Sequence, residues 1–110
     1  MNARLVLKIL FGAIFVWMVV TTVRTSLEVP LWQASFTGNP WAWATLWDAY
    51  FGFVTFYVWV FYKEATALRR ILWFVLVMGL GNIAMSLYVL IELFRLPPSD
   101  PVEQILLRRA

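Results

Sequence analysis

The sequence predicts an all-α fold: a transmembrane bundle of three helices followed by a short C-terminal interfacial helix. Three observations lead there. The chain has 110 residues, 63% of them hydrophobic and 14% charged, whereas soluble domains run about 45–50% apolar and about 25% charged. The apolar residues gather into three runs, each near the ~20 residues that cross a bilayer. The charges stand almost entirely between and beyond those runs.

The first helix is expected over about residues 5–24. Its run, Leu5 to Val23, is broken only by Lys8, with Arg4 before it and Arg24 after it. A basic start and apolar stretch also suit a signal peptide, but no small-x-small cleavage site follows, so an uncleaved span is expected. The second helix, about 41–63, opens on Asn39-Pro40, a capping residue followed by proline at the first helical position. The third, about 69–94, has Asn82 and Ser86 as its clearly polar residues and ends before Pro97-Pro98. Residues 63–70 lack Gly and Pro and read as a tight helical hairpin. Residues 25–40, with Pro30, Gly38 and Pro40, read as a longer loop folded against the membrane interface. The tail reads as an interfacial helix over about 100–109, with Asp100 as cap, Glu103 at the capping-box position and Val102, Ile105 and Leu106 on one face. With no repeat or composition break, residues 1–110 form a single integral membrane domain.

Composition excludes much chemistry. Without Cys there is no disulfide, thiolate nucleophile or iron–sulfur cluster, and without His no imidazole base and no usual zinc site. No catalytic residues, metal site or cofactor are expected. The net charge of +3 belongs to span ends, so lipid is the expected partner and nucleic acid is not. With three spans, Arg4, Lys8, Lys63, Arg69 and Arg70 share one side, and Arg24, Arg95, Arg108 and Arg109 the other. The loop cations lie closest to spans, which favours a cytoplasmic N-terminus and an external C-terminus.

Asp48 is the acid set well inside a span, about 10 Å from Trp41 at about 1.5 Å per residue. A buried carboxylate needs partners. Folding the second and third runs about residues 63–70 sets residue i against about 133 − i, which brings Asp48 near Asn82 and Ser86. Thr21 lies at comparable depth on the first span. A polar cluster of Asp48, Asn82, Ser86 and Thr21 is therefore expected, either as interhelical glue or as a proton or ligand site. Trp32, Trp41, Trp43 and Trp73 lie near run ends and read as aromatic interface anchors; Trp17, Trp47 and Trp59 lie within the runs, where a stacked pocket would form.

The blocks Leu46-Trp-Asp-Ala-Tyr-Phe-Gly-Phe, Tyr57-Val-Trp-Val-Phe-Tyr-Lys-Glu and Gly79-Leu-Gly-Asn-Ile-Ala-Met-Ser-Leu-Tyr-Val-Leu resemble a small integral membrane family, domain of unknown function 1475. The resemblance implies three spans over nearly the whole chain and brings no activity, cofactor or site. Three functions suit these features. The first is a non-enzymatic accessory, assembly or oligomerising membrane subunit, whose partner is a second copy or a larger complex. The second is a half-transporter, a dimer of three-span chains around Asp48, although the first span has no proline to act as a hinge. The third is a membrane enzyme acting on a lipid or isoprenoid, for which a single carboxylate is a sparse catalytic set.

Overall fold

The structure, a computed structural model, describes residues 3–29 and 38–108. Helix α1 spans Ala3–Glu28, α2 Pro40–Lys63, α3 Ala67–Leu80 and α4 Asn82–Arg95, and a short 3-10 helix covers Val102–Leu106. Among the described residues there are helices and no strands, as the apolar runs require.

α1 is uninterrupted because nothing in it breaks a helix. It runs past Arg24 to Glu28, close to Pro30, whose ring disfavours helical geometry in the residue before it. α2 starts where expected: the Asn39 side chain accepts from the Ala42 N–H at 3.2 Å, and Pro40 occupies the first turn. It stops at Lys63. Residues 64–66 then turn the chain, and Thr66 caps α3 by accepting from the Arg69 N–H. Arg70 locks this turn, its Nε donating to the carbonyls of Phe61 at 3.0 Å and Glu64 at 2.9 Å. Tyr57 closes it from the other side, donating to the Arg70 carbonyl at 2.7 Å. The expected hairpin at residues 63–70 is present.

The third run departs from expectation. It does not form one helix over 69–94; it breaks at Gly81 (φ 57°, ψ −125°), a conformation open to glycine and strained for other residues. The chain reverses there. Trp73 on α3 packs edge-on against Tyr88 on α4, with ring centroids 4.8 Å apart, and Glu92 on α4 lies 2.9 Å from Lys63 at the foot of α2. α4 thus runs back beside α3. Phe53 of α2 fills the space at the turn: a Cβ on Gly81 would lie 2.7 Å from its Cζ. Each arm has 14 residues, about 21 Å of helix, short of the ~30 Å hydrocarbon thickness. Among the described residues, α1 is the one helix both long and apolar enough to cross a membrane by length and composition.

The reversal reorganises the rest. α1 packs along α4 in the opposite direction, with the Arg4 guanidinium donating to the carbonyls of Leu96 (3.1 Å), Pro97 (2.8 Å) and Asp100 (2.8 Å). Leu7 and Phe11 of α1, Phe56 and Trp59 of α2, and Val102 surround a core of Val89, Leu93 and Ile105. The expected interfacial helix over 100–109 is instead the 3-10 helix Val102–Leu106, preceded by Pro101 with no side-chain cap, so Asp100 and Glu103 form no capping box. Its carbonyls turn inward, Leu106 accepting from the Trp59 indole N–H at 3.2 Å and Ile105 from the Lys63 ammonium. Arg108 donates to the Tyr62 carbonyl at 2.7 Å. The residues near both chain ends meet at one end of the molecule, not at opposite ends as three successive spans would place them.

Candidate functional site

The charged end of the bundle holds the densest polar chemistry. Lys63 ends α2 and Glu64 follows it; Tyr88, Glu92 and Arg95 lie on one stripe of α4 at helical spacing. Because α4 returns from Gly81, that stripe lands on the α2–α3 turn. Lys63 Nζ lies 2.9 Å from Glu92 Oε1, and the side chains are 2% and 4% exposed. Glu92 Oε2 also accepts from Arg95 at 3.4 Å. The Tyr88 hydroxyl donates to Glu64 Oε2 at 2.8 Å, while Arg69 stands 3.9 Å from Glu64 Oε1. The Trp59 ring lies 5.5 Å beneath the Lys63 ammonium and the Tyr88 ring packs against Trp59.

Burying an ion pair is expensive unless every remaining valence is satisfied. Here that condition holds: among the described residues no buried side-chain nitrogen or oxygen lacks a partner. The carboxylates face cations, and no group of three or more His, Cys, Asp or Glu side chains is placed to hold a metal ion among them. The cluster can pin α2, α4 and the C-terminal 3-10 helix together, and it presents Arg69 and Arg95 outward. Two cavities adjoin it, sharing Glu64, Arg69, Glu92 and Arg95: one of about 210 Å³ reaching Lys63 and Thr66, and one of about 270 Å³ floored by Leu72, Trp73, Tyr88 and Ile91.

The residues singled out from sequence lie elsewhere. Asp48, Asn82 and Thr21 are exposed, and among the described residues no hydrogen bond joins Asp48 to Asn82. Ser86 is buried, but its hydroxyl donates to the carbonyl of Asn82 at 2.6 Å within its own helix. Among the described residues, the hydrogen bond that joins members of this set is the one from Ser86 to the Asn82 carbonyl, within α4. Gly81 lies opposite Phe53, so the α4 residues beyond it run back toward Lys63. Trp41 and Trp43 are exposed at the start of α2, Trp32 lies outside the described residues, and Trp73 is half-buried against Tyr88. Of the three tryptophans within the runs, Trp17 and Trp47 are exposed and Trp59 is half-buried.

Sequence reasoning missed Lys63, Glu64 and Glu92 because each stands at the end of an apolar run, where charges ordinarily reach water. A signal was available. If Gly79-Leu-Gly81 is taken as a break, folding the chain there sets Tyr88 against Trp73 and Glu92 near Arg69.

Residues 1–110 match the family described as Protein of unknown function (DUF1475). The chain belongs to the DUF1475 family. No curated relative and no solved structure matches it. The family assignment agrees with the resemblance carried by the Leu46, Tyr57 and Gly79 blocks, and it adds no activity to the geometry.

Proposed function

We propose that this DUF1475 protein is a non-enzymatic assembly subunit of a membrane. In this reading α1, the described helix long and apolar enough to span by itself, crosses the bilayer. α2, nearly as long and rich in exposed aromatic residues, crosses beside it, and the α3–α4 hairpin enters and leaves from the basic end. The observation that carries it is the dress of the long helices. α1 has no buried residue, and its outward face shows Ile9, Val16, Trp17, Val20 and Val23, while α2 shows Trp47, Phe51, Val54 and Val58. Apolar surface of that extent suits lipid or another protein. Charge placement supports an orientation. Arg4, Lys8, Lys63, Arg69, Arg70, Arg95 and Arg108 gather at one end, which leaves Arg24 as the other described cation. The positive-inside rule puts that end, with residues near both termini, in the cytoplasm.

Asp48 supplies the reason for assembly. It is exposed on α2 beside Thr45, Gly52 and Thr55, small residues that let another helix approach closely. A charged side chain facing lipid costs about 2.5–3.5 kcal/mol near the bilayer centre. Arg24 lies sixteen residues beyond Lys8 and Asp48 fifteen before Lys63, so both stand about 22–24 Å above the charged end. Two copies related by a two-fold axis along the membrane normal would offer reciprocal Asp48–Arg24 pairs.

Two measurements test the reading. The chain has no Cys, so Ala3→Cys and Leu107→Cys variants can be labelled singly with an impermeant maleimide in sealed vesicles. Both are expected to react from the cytoplasmic face, and labelling from opposite faces would overturn the orientation. On native gels the wild type is expected to run as an oligomer that Asp48→Leu weakens and Asp48→Arg/Arg24→Asp restores. A wild-type monomer without companions would sink the assembly role.

A further inference from the structure

We propose that the two cavities between α3 and α4 hold an anionic phospholipid, its phosphate between Arg69 and Arg95 and an acyl chain along Leu72 and Ile91. The inference rests on the membrane reading above and names a ligand for the charged end.

The charges at this site are out of balance in a particular way. Lys63, Arg69 and Arg95 are cationic, and Glu64 and Glu92 anionic. The acids make their short contacts inward, Glu92 to Lys63 at 2.9 Å and Glu64 to the Tyr88 hydroxyl at 2.8 Å. Their contacts to the arginines are longer, at 3.4 Å for Arg95 and 3.9 Å for Arg69, and those two side chains are 48% and 59% exposed. A guanidinium carries five N–H donors in a planar fork, and neither fork is consumed by such contacts. Forks of this kind suit a phosphate group better than an ammonium does. The Thr66 hydroxyl, which accepts from the Arg69 N–H, keeps its own proton to donate into the same cavity.

The shape is amphipathic in the same sense. Both cavities are lined by Arg69, Arg95, Glu64 and Glu92; the first, about 210 Å³, adds Lys63 and Thr66, and the second, about 270 Å³, adds Leu72, Trp73, Tyr88 and Ile91. A free anion would use the first and leave the second empty; a phospholipid uses both. On the membrane reading the cationic end would stand at the bilayer surface, the level of lipid phosphates, and basic pockets between helices on the cytoplasmic side are suited to anionic headgroups.

The full chain, purified in mild detergent, would be presented with phosphatidylglycerol, phosphatidylcholine or inorganic phosphate and read by native mass spectrometry. Phosphatidylglycerol is expected to be retained in preference to phosphatidylcholine. Arg69→Gln/Arg95→Gln should lower that retention about tenfold or more, the scale of losing charge-assisted hydrogen bonds. Arg108→Gln, which removes a cation from the same end but outside the cavities, should leave retention unchanged. Both arginines are well exposed, and Glu92 and Glu64 keep their shorter contacts to Lys63 and Tyr88, so the melting temperature, measured alongside, should fall by no more than a few degrees. Equal retention of the two lipids, undiminished retention by the double variant, or inorganic phosphate competing as strongly as the lipid would overturn the proposal. Carbonate extraction of the wild type separates the two readings. Release from washed membranes overturns the membrane reading and this site with it; a chain that stays but shows no lipid preference overturns the site alone.

Discussion

Replacing Gly81 by alanine tests the turn on which the architecture depends. Gly81 has φ 57° and ψ −125°, and holding an L-residue in so sparsely populated a region costs about 1–3 kcal/mol. The new Cβ would lie 2.7 Å from Phe53 Cζ and 3.3 Å from both Cε atoms. The half-buried ring must swing aside, and an off-rotamer side chain costs about 0.5–1.5 kcal/mol. The loss should total roughly 2–4 kcal/mol, which for a domain of about this size lowers the melting temperature by roughly 10 °C or more. Gly79→Ala is the internal control. Gly79 lies inside α3, and a Cβ added there would meet nothing within 4 Å, so alanine should stabilise that helix by about 0.5–1 kcal/mol. The same substitution two residues apart should therefore act with opposite sign. Thermal unfolding in detergent, followed by the emission of the seven tryptophans, reads both. Gly81→Ala melting with the wild type, or both variants shifting alike, would refute the hairpin.

Two further variants probe the charged end. Lys63→Met strips Glu92 of its buried partner and should cost about 3–5 kcal/mol, whereas Lys63→Met/Glu92→Leu should recover much of that loss because no uncompensated charge remains; a double variant as unstable as the single one, by thermal unfolding, would contradict this. Arg4→Gln removes a cation that donates to three carbonyls around the Leu96–Asp100 turn. Limited proteolysis should then cut the 96–108 segment several-fold faster than in the wild type, and an unchanged rate would show that other contacts hold the segment.

How legible the molecule was depended on how local each cause is. The Asn39-Pro40 start of α2 is visible because a cap and a first-turn proline act within three residues. The turn at residues 64–66 is visible because two long apolar runs flank a charged break. The reversal at Gly81 was hidden, because its residues are as apolar as their surroundings and a glycine in a membrane-like run is tolerated in a straight helix. That one omission sent the C-terminal segment away from Arg4, to which it is bonded. It also concealed the Lys63–Glu92 pair, whose members are 29 positions apart.

By itself the sequence determined the helical class and how apolar the long helices would be. Apolar content and the spacing of charges follow from residue chemistry and need no knowledge of neighbours. The absence of His and Cys likewise bounds the chemistry before any fold is known. Only the tertiary structure decided which charges are buried. Desolvation depends on what packs around a group, and that depended on a single glycine whose permitted backbone angles allowed the third run to fold back. The same reversal brought Arg95 and Arg108 to the end that already held five cations.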